Sequence, residues 1–273
     1  MKICWKMKNY NKLFVSIASN PGIFGSTIYN KFFSDYKLAY FYKALKVEKS
    51  TLKKIIKNLN TFNISGCSVS MPFKSDVITF LDVVDKNAKE IGSVNTILNI
   101  SGKLIGYNTD FFGIQKCISK IKLNKKDKVL IIGAGWIAKK ICHYLSKIKF
   151  NNVFITSRTL DKSVILSKKY KFSYINWDER NGLNCNILIN ASPIGMNPYQ
   201  NEIPISFSSI KNMRVVIDVV NKPLHTKLIN YCNKNHIKNI PGFELSINQL
   251  IKQIYIYTGE KTTYNYIRKI LKV

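Results

Sequence analysis

The sequence predicts an α/β chain of two domains, with C-terminal helices that pack back on the first. Three observations predict it. Strand and helix signals alternate through most of the chain, the pattern of βαβ units on a largely parallel sheet. Runs such as "KVLII", "CNILIN" and "RVVIDVV" are apolar without alternation, as expected of strands covered on both faces. The composition, 46% hydrophobic and 21% charged over 273 residues, leaves room for one large or two medium domains.

The elements follow in order. "LFVSIAS" reads as a strand. "STIYNKFFSDY" (Ser26–Tyr36) reads as a helix that Ser26 is able to cap. "LAYFYKALKV" is a second strand. "KSTLKKIIKNLN" puts Leu52, Ile55, Ile56 and Leu59 on one helical face. "GCSVSM" is a strand, and "SVNTILNISGKLIGYNTD" is a hairpin turning at Ser101-Gly102. A new pattern begins near Lys128. "KVLIIGAG" is a buried strand, "WIAKKICHYLSKI" a helix, "NVFITSR" a strand and "LDKSVILSKKY" a helix. "CNILINAS" and "RVVIDVV" are further strands. "FELSINQLIKQIYIYTG" and "TTYNYIRKILKV" read as helical throughout. The domains are placed at 1–109, 110–240 and, for the returning helices, 241–273.

A net charge of +28 raises the question of nucleic acid. The lysines are scattered through every segment, and no RNP, zinc-finger or basic-zipper pattern is present. Nucleic-acid binding is therefore disfavoured, while the positive field suits an anionic small molecule. No run of about 18 apolar residues occurs, so no membrane span is expected. Lysines interrupt "MKICWKMKNYNKLFVSIAS", which reads as no cleavable leader. Cys4, Cys67, Cys117, Cys142, Cys185 and Cys232 form no CxxC pair, and only three histidines exist. A metal site and a disulfide framework are both disfavoured; reduced thiols in the cytoplasm fit better. Monomer and homodimer both stay open.

"VLIIGAGWIA" carries the first chemistry. Gly133-Ala134-Gly135-Trp136-Ile137-Ala138 fits G-x-G-x-x-G/A between a strand and a helix, the dinucleotide fingerprint of a Rossmann-type, doubly wound domain. Gly133 permits the tight turn, Gly135 lets backbone approach a diphosphate, and Ala138 lets the helix pack on the strand. The diphosphate would sit at the positive helix end. The next strand ends in "TSRTLDK", where an NAD site commonly has an acid. Here Arg158 can grip a 2′-phosphate, Thr159 offers a hydroxyl and Lys162 adds charge, beside Ser157. The expected cofactor is NADP, with NAD use left open. A solvated loop arginine is the competing reading of Arg158.

Together these stretches resemble the shikimate dehydrogenases along essentially the whole chain. "VSMPFK" (Val69–Lys74) is similar to N-V-T-x-P-x-K, "IGSVNTI" to I-G-A-V-N-T, and "GYNTDFFG" to G-x-N-T-D-x-x-G. "GAGWIA" and "SRT" resemble G-A-G-G-A-A and N-R-T. "NASPIGM" resembles N-A-T-P-x-G-M, and "GFELSINQ" resembles G-x-x-M-L-x-x-Q. The resemblance implies NADPH-dependent reduction of the 3-keto group of 3-dehydroshikimate, reversible to shikimate. It implies Lys74 and Asp110 as the catalytic pair, Asn95 and Gln249 on substrate hydroxyls, and Ser70 in place of a substrate-facing threonine. It also implies cofactor contacts from Gly133 to Ala138, from Ser157, Arg158, Thr159 and Lys162, and from Ser192, Met196, Val219 and Gly242.

The chemistry needs these residue types. Hydride arriving at a carbonyl carbon leaves an alkoxide, which an ammonium stabilises and protonates. A carboxylate such as Asp110 orients the ammonium and binds a hydroxyl. Asp110 also precedes "FFGIQKCISKI", where it is able to cap a helix.

Some positions depart from the family pattern. Its S-x-S-P carboxylate clamp corresponds to "IFGS", with Ile23 and Gly25 in place of the serines; Ser26 and Thr27 are the nearest hydroxyls. "FGSTIYN", "SMPFK" and "SVNTI" are most similar to the shikimate dehydrogenase-like subgroup. Asn221 stands where tyrosine is frequent. Trp136 replaces a small glycine, and its indole either points outward or narrows the site. Quinate or a related cyclic hydroxy acid, with relaxed cofactor use, is the alternative substrate class. A non-catalytic NADP(H)-binding relative is the alternative without chemistry.

Overall fold

The runs that the sequence marks as buried on both faces lie within a parallel sheet. The computed structural model describes residues 11–273; Cys4 and the N-terminal stretch as far as residue 10 lie outside the described residues. The chain divides into two units. The first takes the described residues up to Thr109 together with Leu250–Lys272, and the second takes Asp110–Gln249 and Val273.

The first unit begins with β1 (Lys12–Ala18), α1 (Phe24–Asp35), β2 (Tyr40–Lys46), α2 (Leu52–Lys57) and β3 (Ile64–Val69). It continues with β4 (Val83–Val84), α3 (Lys86–Ile91), β5 (Thr96–Ile100) and β6 (Lys103–Tyr107). The sheet order is β2-β1-β3-β5-β6-β4. β1 runs parallel to β2 and β3, and β5 runs antiparallel to β3 and β6. The β5–β6 turn is the expected Ser101-Gly102, with φ of 49° and 91°, the double left-handed pair that suits strand twist. α1 starts at Phe24, so Ser26 lies inside the first turn and does not cap it. The cause is local: the Ile23 carbonyl accepts from both the N–H (3.0 Å) and the hydroxyl (3.1 Å) of Thr27, so the ladder starts at Ile23.

The second unit holds α4 (Thr109–Ser119, from Asp110 on), β7 (Val129–Ile132), α5 (Trp136–Lys147), β8 (Val153–Thr156), α6 (Leu160–Tyr170) and β9 (Ser173–Tyr174). β10 (Ile187–Asn190), α7 (Phe207–Ile210), β11 (Val215–Asp218), α8 (Lys227–Lys234) and β12 (Lys238–Ile240) follow. All six strands are parallel, in the order β12-β11-β10-β7-β8-β9. This is the doubly wound arrangement, and the strand order reverses between β10 and β7. Every residue of β7, β10 and β11 is buried. Ala138 is fully buried in the core between α5 and the sheet, as its small size allows.

The chain ends with α9 (Gly242–Thr258) and α10 (Tyr264–Leu271). The stretch is not helical throughout: Gly259, at φ 76°, ends α9 as left-handed glycines do. Tyr257 packs on Phe14 (4.8 Å) in an aromatic core where Tyr29 stacks on Tyr42 (4.4 Å). α10 returns to α1, where the Tyr266 hydroxyl donates to Asp35 (2.8 Å). The five described cysteines are free and buried. Burial pushes the Cys185 thiol up to about 11 and the Cys117 and Cys232 thiols up to about 12, so they serve as core residues and not as nucleophiles.

Gly113 of α4 lies under α9 within the second unit. A Cβ there would sit 2.5 Å from the Leu245 carbonyl oxygen, a backbone atom that cannot rotate away. Gly113→Ala should lower unfolding stability by about 1–3 kcal/mol in urea titration; an unchanged midpoint would contradict this close packing.

Candidate active site

The turn after β7 is built from backbone constraint. Gly133 has φ 111°, and a Cβ on it would meet the Ala191 carbonyl oxygen at 2.6 Å. Its N–H donates to the Thr156 carbonyl (2.7 Å), tying the turn to β8. Gly135 is the residue before α5, in extended conformation, and offers no side-chain cap. Nothing lies within 4 Å of an added Cβ there. The first turn of α5 therefore opens on space, at the carboxyl ends of the strands where their order reverses.

That space is a hollow of about 200 Å³. Gly133, Ala134 and Gly135 form one wall; Ser157, Arg158, Thr159 and Lys162 form another; Trp177, Ala191, Ser192, Pro193 and Ile194 complete it. Among the described residues, no carboxylate lines it. The Arg158 guanidinium lies 5.0 Å over the Tyr199 ring. The Ser157 hydroxyl contacts the Thr159 carbonyl and the Ser163 hydroxyl, each at 2.7 Å, so it shapes the loop. The glycine cradle, the uncapped helix start and the basic wall fit a dinucleotide with a 2′-phosphate.

Trp136 does not line this hollow. Its indole is 51% exposed, and Lys139 lies 4.9 Å over the ring. It borders a neighbouring hollow of about 510 Å³ with Lys139, Lys162, Ile165, Leu166 and Lys169. Ile137 packs on the core. Met196, Val219 and Gly242 lie outside the hollow's lining. Gly242 has a backbone reason for its identity: a Cβ would sit 2.2 Å from the Val220 carbonyl oxygen.

Ser192 is held from below. Its hydroxyl donates to Asn190 (2.6 Å), whose amide donates to the Ile194 carbonyl (2.9 Å) and to Asp218 (3.0 Å). Asp218 also accepts from the Thr226 hydroxyl (2.6 Å) and the Val220 N–H (3.1 Å). Burial pushes its carboxyl up to about 6, against the pull of these three donors.

In the first unit, the "SMPFK" loop follows β3. The Ser70 N–H donates to the Ile17 carbonyl (3.0 Å), and Ser70 itself is exposed. Phe73 is buried in the core, and the half-buried Lys74 accepts the Val94 N–H at its carbonyl (2.7 Å). Asn95 is buried. Its amide donates to the Thr109 hydroxyl (2.9 Å), and its oxygen accepts from the Thr109 N–H (2.8 Å) and the Thr96 hydroxyl (2.9 Å). Sequence reasoning missed Gln253. It is buried, accepts from the Tyr29 hydroxyl, and donates to Thr96 (2.6 Å) and to the Asn95 carbonyl (3.3 Å). Its one signal was the spacing of four from Gln249 on the same helix. Ser26 is half-buried and Thr27 exposed on α1, and Ile23 beside them is 82% exposed. A Cβ on Gly25 would come within 3.5 Å of the Tyr42 hydroxyl.

In the second unit, Asp110 stands in the first turn of α4 and accepts from Lys140 of α5 at 2.7 Å. Gln249 is half-buried on α9, and Asn221 is half-buried after β11.

Comparison with known proteins identifies the family and the fold. A family model described as "Shikimate dehydrogenase substrate binding domain" matches residues 24–97, and one described as "Shikimate / quinate 5-dehydrogenase" matches residues 116–193. A shikimate dehydrogenase (NADP(+)) of Clostridium perfringens (strain 13 / Type A) is 32% identical over 267 residues, covering 96% of this chain and 98% of its own. A shikimate dehydrogenase-like protein of Haemophilus influenzae is 34% identical over 252 residues, 92% of each chain. The solved structure of a shikimate 5-dehydrogenase-like protein matches with a TM-score of 0.90 at 31% identity, covering 96% of each chain.

The Asp218 network has a pH signature. Its folded-state pKa is raised, so its contribution to stability is full below about pH 4 and is lost as pH rises through about 6. The loss is on the order of 3 kcal/mol. Urea unfolding of wild type and Asp218→Asn should show their stability difference shifting by that order, against wild type, between pH 4 and 6. A difference that does not change with pH would contradict the assignment.

Proposed function

Because the chain belongs to the shikimate dehydrogenase family, we propose that it oxidises shikimate to 3-dehydroshikimate with NADP, reversibly, in the cytoplasm. The observation that carries the reading is the hollow at the strand-order reversal. It has glycine backbone on one wall, Arg158 and Lys162 on another, and no carboxylate. NADP, when bound, supplies the hydride acceptor. Gly133 and Gly135 leave room for the diphosphate against the first turn of α5. Arg158 grips the 2′-phosphate with parallel N–H donors, helped by Thr159 and Lys162. Ser192 and Met196 after β10, Val219 after β11 and Gly242 at the start of α9 serve the nicotinamide side.

The substrate chemistry falls to Lys74 and Asp110. As the amine, Lys74 takes the proton of the 3-hydroxyl while hydride leaves the same carbon. As the ammonium, it returns that proton to the alkoxide in the reverse direction. Asp110 accepts a hydrogen bond from the neighbouring hydroxyl. Ser70, Asn95 and Gln249 contact the remaining hydroxyls, and Ser26 and Thr27 contact the carboxylate. The exposed Ile23 and the bare Gly25 at the clamp positions favour a second substrate reading, quinate or a related cyclic hydroxy acid.

The test is NADP reduction by wild type with shikimate and quinate side by side. Turnover of shikimate is expected, and Lys74→Ala should lower kcat by about 10²–10⁴-fold with the fold intact. Turnover of quinate alone would select the second reading. Turnover of neither, with tight NADPH binding, would overturn both in favour of a non-catalytic relative.

A further inference from the structure

Lys140 is a lysine in an unusual place. It lies on the second turn of α5, on the side that faces α4, and its side chain is 2% exposed. Lysine is almost never buried this deeply unless paired. Its ammonium lies 2.7 Å from an oxygen of Asp110, whose side chain is 20% exposed. The two helices meet closely here: Phe111, next to Asp110, packs against His143 (5.2 Å) and Tyr144 (6.4 Å) of α5.

We propose that Lys140 is a positioning residue for Asp110. The proposal rests on the role given to Asp110 above. The pair is asymmetric. The ammonium is sealed from water, whereas the carboxylate is one-fifth exposed. A charge-assisted bond of this length fixes one carboxylate oxygen in direction as well as distance. Rotation of the Asp110 side chain is thereby restrained. A substrate hydroxyl then meets an acceptor of constant orientation, with no reorganisation at the moment of binding.

A cycle of wild type, Lys140→Met, Asp110→Asn and the double variant tests this by shikimate kinetics and thermal unfolding. Lys140→Met removes the buried charge at similar volume. It should cost on the order of 10²-fold in kcat/KM for shikimate while leaving KM for NADP within about twofold. In the Asp110→Asn background the same change should alter turnover by less than about twofold, because the residue it orients is gone. Asp110→Asn should lower Tm by taking a carboxylate charge from a buried ammonium, and adding Lys140→Met should recover most of that loss. The double variant removes both charges of this pair and keeps the unfolding arm readable. Wild-type kcat/KM in Lys140→Met, or additive effects in the cycle, would overturn the proposal. A wild type that turns over neither shikimate nor quinate would instead fault the proposed function, and the role of Asp110 with it.

Discussion

The approach of Gly133 to the Ala191 carbonyl sets the geometry on which the second unit's site depends. Only a residue without Cβ fits there, at positive φ and under a backbone oxygen. β7 and β10 are neighbours because the strand order reverses between them, so the two loops that leave their ends face each other across one hollow. A side chain at Gly133 would push these loops apart. α5 starts directly from this turn. Its direction fixes which of its residues reach inward, Ala138 against the sheet and Lys140 toward α4.

The first unit solves a different problem, that of burying polar groups without leaving them unpaired. Asn95, Thr96, Thr109, Gln253 and Tyr29 are joined in one hydrogen-bond network. Burial there drives the Tyr29 phenol well above its ordinary pKa, so it serves as a neutral donor. The network holds Thr109 by both its N–H and its hydroxyl. Both ends of the Asn95 amide are engaged in it.

Much of this was legible in the sequence, for physical reasons. The strands "VLII", "ILIN" and "VVID" announced themselves because burial on both faces leaves no polar position. The hairpin turn was legible because Ser101-Gly102 supplies two left-handed residues. The turn after β7 was legible because Gly133 answers a backbone demand. The start of α1 was not, since Ile23 carries no capping group and Thr27 bonds back to it. Gly259 was hidden in a run with helical periodicity. Gln253 was invisible because Tyr29 and Thr96 are remote in sequence. Lys140 was hidden among 43 basic residues; only packing distinguishes a sealed lysine from a solvated one. The outward turn of Trp136 likewise depends on which face of α5 meets the sheet.

A hollow with glycine backbone on one wall and Arg158 and Lys162 on another carries the proposed use of NADP. Calorimetric titration of the chain with NADP and with NAD, repeated on Arg158→Ala, tests it most directly. The expected result is NADP bound at least about tenfold more tightly than NAD, with the difference abolished in Arg158→Ala. Equal affinity of the wild type for the two cofactors, or no affinity for either, would contradict it.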